Sequence, residues 1–492
     1  MLPVSDKDSS ASHLVLDRKN TLFRYFSFYH PGAWLLLSVV LLQSLLLFSA
    51  RSLPIASYFQ HSYPRRNASS TAATTTTLST APYASEVNAT GATNDGGVEC
   101  PFGKVYIYDL PRLFNADLVE NCRDLDPWHS RCQVLSNDGF GLPAAGISKI
   151  LPENLAGSWF WTDQFALELI FHNRMANYKC RTTEPESATA FYIPFYAGLA
   201  VGKYLWPIKV NYTNEDRDRD CKMMLNWIQD QPYWNRSHGG DHFITMGRIT
   251  WDFRRKEGMN WGSSCIFLPG MRNITRLLIE AHPWDYFDVA VPYPTGFHPS
   301  TADDIARWQQ FLRTRQRNTL FCFAGAPRRL IKNDFRALLL SQCNDSGGAC
   351  RAVDCGGTKC SNGTSEILET FLDSDFCLQP RGDSLTRRST FDCMVAGSIP
   401  VFFWKRSAYY QYRWFFPPET ESYSVFIHRD EVKNGTLIKS VLEKISKEKV
   451  KEMRNKVIDY IPNIIYSKPN AGIEGVRDAF DIAIEGVLRR AN

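Results

Sequence analysis

Nothing in this chain concentrates charge of one sign: 56 basic residues meet 51 acidic ones for a formal net charge of +5, and no basic run extends beyond a few residues. That excludes nucleic acid as the expected partner, although a local anion site is compatible with it. Repeats of short period are absent, which excludes a solenoid. Cysteine is missing from the first 99 residues, and the 13 that follow offer no paired C-x-x-C hooks. The set Cys343, Cys350, Cys355 and Cys360 has no histidine nearby, so two disulfides stapling a loop are expected there rather than zinc. An odd total leaves at least one thiol unpaired, and Cys322, Cys377 and Cys393, all in apolar runs, are the candidates. No D-x-D pair stands at a strand end. The DRDRD run at Asp216–Asp220 falls in a hydrophilic stretch expected to be exposed, so no metal site is expected.

What is present is a globular composition, 44% hydrophobic and 13% aromatic, on 492 residues, more than one core usually organises. Two domains with appendages are therefore expected. Residues 33–50, AWLLLSVVLLQSLLLFSA, form an uncharged run long enough to cross a thin bilayer as a helix. It begins too far in, and lacks a small-x-small cleavage site, to read as a cleaved signal peptide. Flanking charges do not orient it. The sequons do: Asn67, Asn88, Asn211, Asn235, Asn273, Asn344, Asn362 and Asn434 all follow the run, as do all the cysteines. The expected layout is a cytosolic tail (1–32), a signal anchor (33–50), a Ser/Thr-rich flexible stem (51–98) and a lumenal body.

From Cys100 onward short apolar runs alternate with helical stretches. KVYIYDLP, TAFYIPFYAG, DHFITMG, CIFLPG and DVAVPYP form a first series, interrupted by TDQFALELIFHNRM with Thr162 as its expected N-cap and Phe165, Leu169 and Ile170 on one face. TLFCFAG, CRAVDC, SDFCLQP, SIPVFFW and SYSVFIH form a second, closed by charged helices. Strands alternating with helices predict an α/β protein with two doubly wound, Rossmann-like domains, 99–315 and 316–492, facing a cleft.

The most informative segment is SDFCLQPRGDSLTRRSTFDCMVAGSIPVFF, Ser374–Phe403. A strand enters a glycine-containing loop and then a helix, and the loop and helix start carry Arg381, Arg387 and Arg388. Unpaired backbone N–H groups and guanidinium forks at such a place suit a diphosphate. Asp383 and Asp392 can accept hydrogen bonds from a ribose, or Asp383 can cap the helix.

This segment resembles the signature of the exostosin-type glycosyltransferases, F-C-L-x-P-x-G-D leading through arginine-bearing turns to G-x-I-P-V. KVYIYDLPRLFN, GDHFITMGRITWDFRR, VPYPTGFHP, LFCFAGAPR and YSVFI follow the family order over about Cys100 to Leu488. GDSLTRRSTFDCMVAGSIPVFFW with SAYYQYRWFFP resembles the xyloglucan galactosyltransferase branch of plants, and the MLPVS start and short stem its member acting on the second xylose of the repeat. The chain departs from the pattern at Ser389, where many relatives carry a single arginine.

The resemblance implies a GT-B architecture and an inverting transfer of galactose from UDP-galactose to xyloglucan without a metal or other cofactor. It also implies a Golgi membrane setting, with other xyloglucan-synthesis enzymes as possible neighbours. Arg388, backed by Arg387, then contacts the diphosphate, Asp392 the ribose, and Gly325 closes the first strand of the nucleotide domain. The acceptor hydroxyl needs a base from the first domain, and His242, Asp241 and Asp163 lead the candidates, with Asp252 and His298 behind them. Trp159, Trp161, Trp251, Tyr409, Tyr410 and Trp414 are candidates for stacking on glucan rings. Two other readings stay open: a relative moving arabinose, galacturonate or xylose onto xylan, pectin or glycoprotein, and a non-catalytic partner in a synthase complex.

Overall fold

The computed structural model describes residues 99–492 apart from 128, 207–210, 329–333, 358–359 and 361–362. The tail, the apolar run and the stem, with Asn67, Asn88 and Asn362, lie outside the described residues. Among the described residues no helix is long and apolar enough to cross a membrane.

The described residues form one compact unit built on two parallel sheets. The first has the order β2-β1-β3-β4-β5-β6, from β1 Val105–Ile107, β2 Arg181–Thr182, β3 Ala190–Ile193, β4 His242–Ile249, β5 Thr275–Glu280 and β6 Asp288–Ala290. The second has the order β11-β10-β9-β7-β8, from β7 Thr319–Gly325, β8 Cys350–Asp354, β9 Ser374–Gln379, β10 Ile399–Phe402 and β11 Val425–Phe426. Parallel strands buried on both faces read as continuous apolar runs, and β3 (AFYI) and β10 (IPVF) are fully buried.

One expected strand is not there. CIFLPG folds as two 3-10 turns, Cys265–Phe267 and Pro269–Met271, with Cys265 bonded to Cys221. The strand in its place is β5, TRLLIE, whose charged residues disguise it. Arg276 is buried because Asp288 takes its Nε at 2.6 Å and Asp285 its Nη2 at 2.9 Å. The helix following Thr162 begins later than expected, at Leu167, with Ala166 at the N-cap position. Thr162 is buried and donates to the Phe140 carbonyl instead.

A single apolar cluster joins the two sheets, running from Phe171 and Tyr192 through Trp308 to Phe391, Ile461 and Phe480. The final helix, Ala479–Ala491, follows the second sheet in sequence but packs on the first. Phe480 meets Phe171, and its capping residue Asp478 pairs with the buried Arg174 at 3.2 Å. Six disulfides brace the fold. Cys343–Cys350 and Cys355–Cys360 staple the expected loop, but Cys377 and Cys393 pair with each other across β9 and the helix Ser389–Val395, leaving Cys322 as the one free thiol among the described residues. The described sequon asparagines, Asn211, Asn235, Asn273, Asn344 and Asn434, are all exposed.

Candidate functional site

In parallel sheets every strand points its carboxyl end the same way, and ligands gather there. Here those ends meet in two adjoining cavities of about 550 and 360 Å³ that share Gln164, Phe165, Ile249 and Asp383. Ile249 ends β4, Ala324 stands one residue before the end of β7, and the loop Arg381–Arg388 follows β9.

The smaller cavity is walled by arginine. Arg336, Arg387 and Arg388 line it, and Arg328 closes the loop beside it, bonding the Gly382 carbonyl and Asp383. Arg387 donates through Nη2 to the Ala324 carbonyl at 2.7 Å, while its buried Nη1 has no hydrogen-bond partner among the described residues. Burial, then the neighbouring Arg336, pulls the Arg387 guanidinium down to about 9. Burial and Arg328 lower Arg336 likewise. Guanidinium groups lowered by burial and by a neighbouring cation in the wall of a polar cavity are the electrostatic condition for binding an anion. Arg388 is more committed: Nη1 donates to the Thr162 carbonyl at 2.5 Å, bridging to the first domain, and Nε pairs with Asp392 at 3.1 Å. Asp392 lines the cavity, and its burial raises its carboxyl against the pull of Arg388.

The loop that carries these arginines is folded tightly. A Cβ at Gly382 would stand 2.0 Å from the Thr386 carbonyl, so only glycine admits the return of the chain. Gly325 does not line the cavity; a Cβ there would press on the Phe323 ring at 2.6 Å. Arg381 points away too, its guanidinium 5.4 Å above the Trp404 ring and its Nε donating to the Ser384 carbonyl. The loop is held from across the cleft by a residue that sequence reasoning missed. Glu280, at the end of β5 and fully buried, accepts the N–H groups of Leu385 and Thr386 at 2.8 and 2.7 Å and the Thr386 hydroxyl at 2.8 Å. Arg336 and Arg328 were missed for a related reason: only the fold of the helix Phe335–Asn344 and of the turn after β7 brings them to this loop.

The larger cavity is aromatic and polar. Trp206, Trp251 and Trp261 line it with Arg248 and Asp252. Asp252 pairs with Arg248 at 2.7 Å and accepts the Trp261 indole N–H at 2.8 Å, whereas Arg254 and Arg255 turn to Asp285 and Asp218. Asp218 is therefore buried, not exposed as its hydrophilic surroundings implied, and Asp220 pairs with Lys203.

The leading base candidates stand elsewhere. His242 begins β4, at the end of the strand opposite the cleft, about 23 Å of extended chain from Ile249. Its Nδ1–H donates to Asp241 at 2.7 Å, and Nε2 accepts from the Tyr108 hydroxyl at 2.8 Å, in a ring cage of Tyr108, Phe191 and Trp234. Desolvation alone would raise the Asp241 carboxyl, but hydrogen bonds from His242 and Ser237 hold it down at about 2. The pair is a packed structural dyad. Asp163 is buried behind the larger cavity, bonded to Arg131 at 2.7 Å and to the Phe165 N–H at 2.8 Å. His298 is buried too, and desolvation lowers it to about 4. Of the first-domain candidates only Asp252 lines the cleft. Among the stacking candidates Trp159 is core, and Trp251, 47% exposed, faces the larger cavity.

Residues 99–445 match the exostosin GT47 domain. Over the whole chain, and 98% of the relative, the sequence is 57% identical to the xyloglucan galactosyltransferase XLT2 of Arabidopsis thaliana. It is 40% identical to the xyloglucan galactosyltransferase MUR3 of the same plant over 78% of this chain and 61% of that one. Identity is 39% to its xyloglucan-specific galacturonosyltransferase 1, over 80% and 57%.

Proposed function

The chain belongs to the exostosin GT47 family, and from that premise we propose that it is a xyloglucan galactosyltransferase whose donor lies in the arginine-walled cavity and whose acceptor lies in the aromatic one. The observation that carries this is the junction of the two cavities at Gln164, Phe165, Ile249 and Asp383. A sugar on a diphosphate held by Arg387, Arg336 and Arg388 reaches that junction, where an acceptor laid on Trp251 and Trp261 also reaches it. The architecture is read as GT-B, supported by two parallel sheets whose carboxyl ends share the cleft.

The transfer then balances as follows. The acceptor hydroxyl oxygen of a xylose side chain forms a bond to the anomeric carbon of galactose as the bond from that carbon to the UDP oxygen breaks. The hydroxyl proton passes to Asp252, and the electron pair leaves with UDP, whose developing charge the arginines stabilise. Attack opposite the leaving group inverts the anomeric centre. No metal is called on, because the guanidinium groups supply the countercharge. The second xylose of the repeat is the proposed acceptor position, and the setting is a Golgi membrane protein with its body in the lumen, supported by the sequons and six disulfides.

The galacturonosyltransferase among the relatives favours one alternative, galacturonate as the donor sugar. Incubating the full-length protein with UDP-galactose, UDP-galacturonate, UDP-arabinose and UDP-xylose, with and without EDTA, on xylosylated glucan oligosaccharides separates these. Hexose addition from UDP-galactose that survives EDTA is expected. Transfer from UDP-galacturonate alone, or full dependence on manganese, contradicts the donor or the metal-free mechanism respectively.

A further inference from the structure

Trp284 and Tyr286 are the most exposed large hydrophobic side chains among the described residues, at 63% and 66%. Both stand on the turn between β5 and β6. Folding gains nothing from leaving two large rings in water, so an exposed aromatic pair on a fixed base calls for an occupant. The base is fixed: Asp285, between them, takes Arg254 at 2.6 Å and Arg276 at 2.9 Å, and the Gln411 side chain bonds both the N–H and the carbonyl of Ala281.

The rings continue across the surface. Trp284 lies 5.8 Å from Tyr410, and the Arg406 guanidinium sits over both Trp284 and Trp404, at 5.6 and 5.5 Å. This row joins the cleft at two points. Arg254, which anchors Asp285, is three residues from Trp251 in the wall of the larger cavity. Trp404 lies beneath Arg381, whose Nε holds Ser384 in the wall of the smaller one.

We propose that Trp284, Tyr410 and Trp404 form an outer acceptor subsite that binds the glucan backbone of a polymeric acceptor where it leaves the cleft. The inference rests on the functional reading above. A cavity of about 550 Å³ encloses only a short stretch of a sugar chain, so a polymer has to run out over a rim. This rim carries the Trp284–Tyr410 ring contact, linked to Trp404 through Arg406. The C–H face of a pyranose stacks on an aromatic face, and the arginines beside the rings donate to its hydroxyls. One guanidinium occupies only one face of a ring, so Arg406 at Trp284 and Arg490 at Tyr286 stand as hydroxyl donors beside the stacking faces, and an anionic membrane surface is the competing occupant that the test separates.

The test compares full-length wild type, Trp284→Ala and Trp284→Ala/Tyr410→Ala on polymeric xyloglucan and on a single-repeat xylosylated oligosaccharide. The KM for polymer should rise about tenfold, the value expected from losing one stacking contact, while the KM for oligosaccharide, the donor KM and kcat stay within about twofold. Trp284→Phe should restore most of the difference. Equal KM changes on both acceptors, or none on either, overturn the proposal. Retardation in native gels cast with the polymer reads the subsite without catalysis. Wild type that is retarded but inactive on every donor would sink the functional reading alone, and retardation unchanged by Trp284→Ala would sink the subsite alone. Binding to anionic phosphatidylserine vesicles that Trp284→Ala abolishes, with polymer retardation intact, would assign the face to lipid and also overturn it.

Discussion

At the cleft wall Asp252 keeps both carboxylate oxygens engaged, one by Arg248 and one by the Trp261 indole, so its orientation is set before any acceptor arrives. Asn preserves much of that packing and cannot take a proton at neutral pH. Asp252→Asn should lower kcat by about 10²–10³-fold with both KM values little changed, as for loss of a positioned general base; a kcat near wild type would move the base elsewhere. Glu280 acts at one remove, through the loop. Ala at this position strands the buried N–H groups of Leu385 and Thr386, a cost of about 1–3 kcal/mol that frees the arginines from their places. Donor KM should rise about 5- to 100-fold in Glu280→Ala, with acceptor KM unchanged, and Glu280→Gln, which keeps an accepting oxygen, should lie near wild type. Identical behaviour of the two variants would argue against a positioning role.

Among the elements, the junction of the helix Leu167–Ala176 with β4 carries an unusual group. Glu168 is fully buried and accepts the N–H groups of Gly198 at 2.5 Å, Gly247 at 2.8 Å and Leu199 at 3.3 Å. Desolvation still outweighs those bonds and lifts its carboxyl to about 7. A folded-state value above the unfolded one means the native protein holds this proton longer, so its stabilising contribution is complete below about pH 4.5. It is lost as the pH climbs from there to about 7, at up to about 1.4 kcal/mol per pH unit. Glu168→Gln should flatten the fall in unfolding free energy across that window, and an unchanged slope would locate the titration elsewhere. Elements also show what the sequence could and could not disclose. Runs such as AFYI and IPVF are legible because parallel strands are apolar throughout. β5 is not, because Arg276 and Glu280 are charged for reasons, an ion-pair network and a loop contact, that exist only in the folded chain. The arginine loop was legible from its glycine and spacing. The residue type of His242 suits a base, but strand polarity decides against it, because the start of β4 lies at the far end from the chemistry.

For the whole molecule, the two sheets are tied by one apolar cluster, by the returning helix Ala479–Ala491 and by polar bridges at the cleft, from Glu280 to the arginine loop and from Arg388 to Thr162. The cleft therefore takes its shape from both domains, and a donor site on the second is completed by contacts from the first. Its central element is the set of arginines in the wall of the smaller cavity, among them Arg387, lowered by burial and by Arg336, whose buried Nη1 has no hydrogen-bond partner among the described residues. The most direct measurement is calorimetric titration of full-length protein with UDP, comparing wild type with Arg387→Ala shown to be folded by its thermal unfolding. Micromolar-range binding weakened at least tenfold by the substitution, about 1.4 kcal/mol, is the expected result. Equal affinity in the two proteins would contradict the placing of the diphosphate, and with it the account of the site.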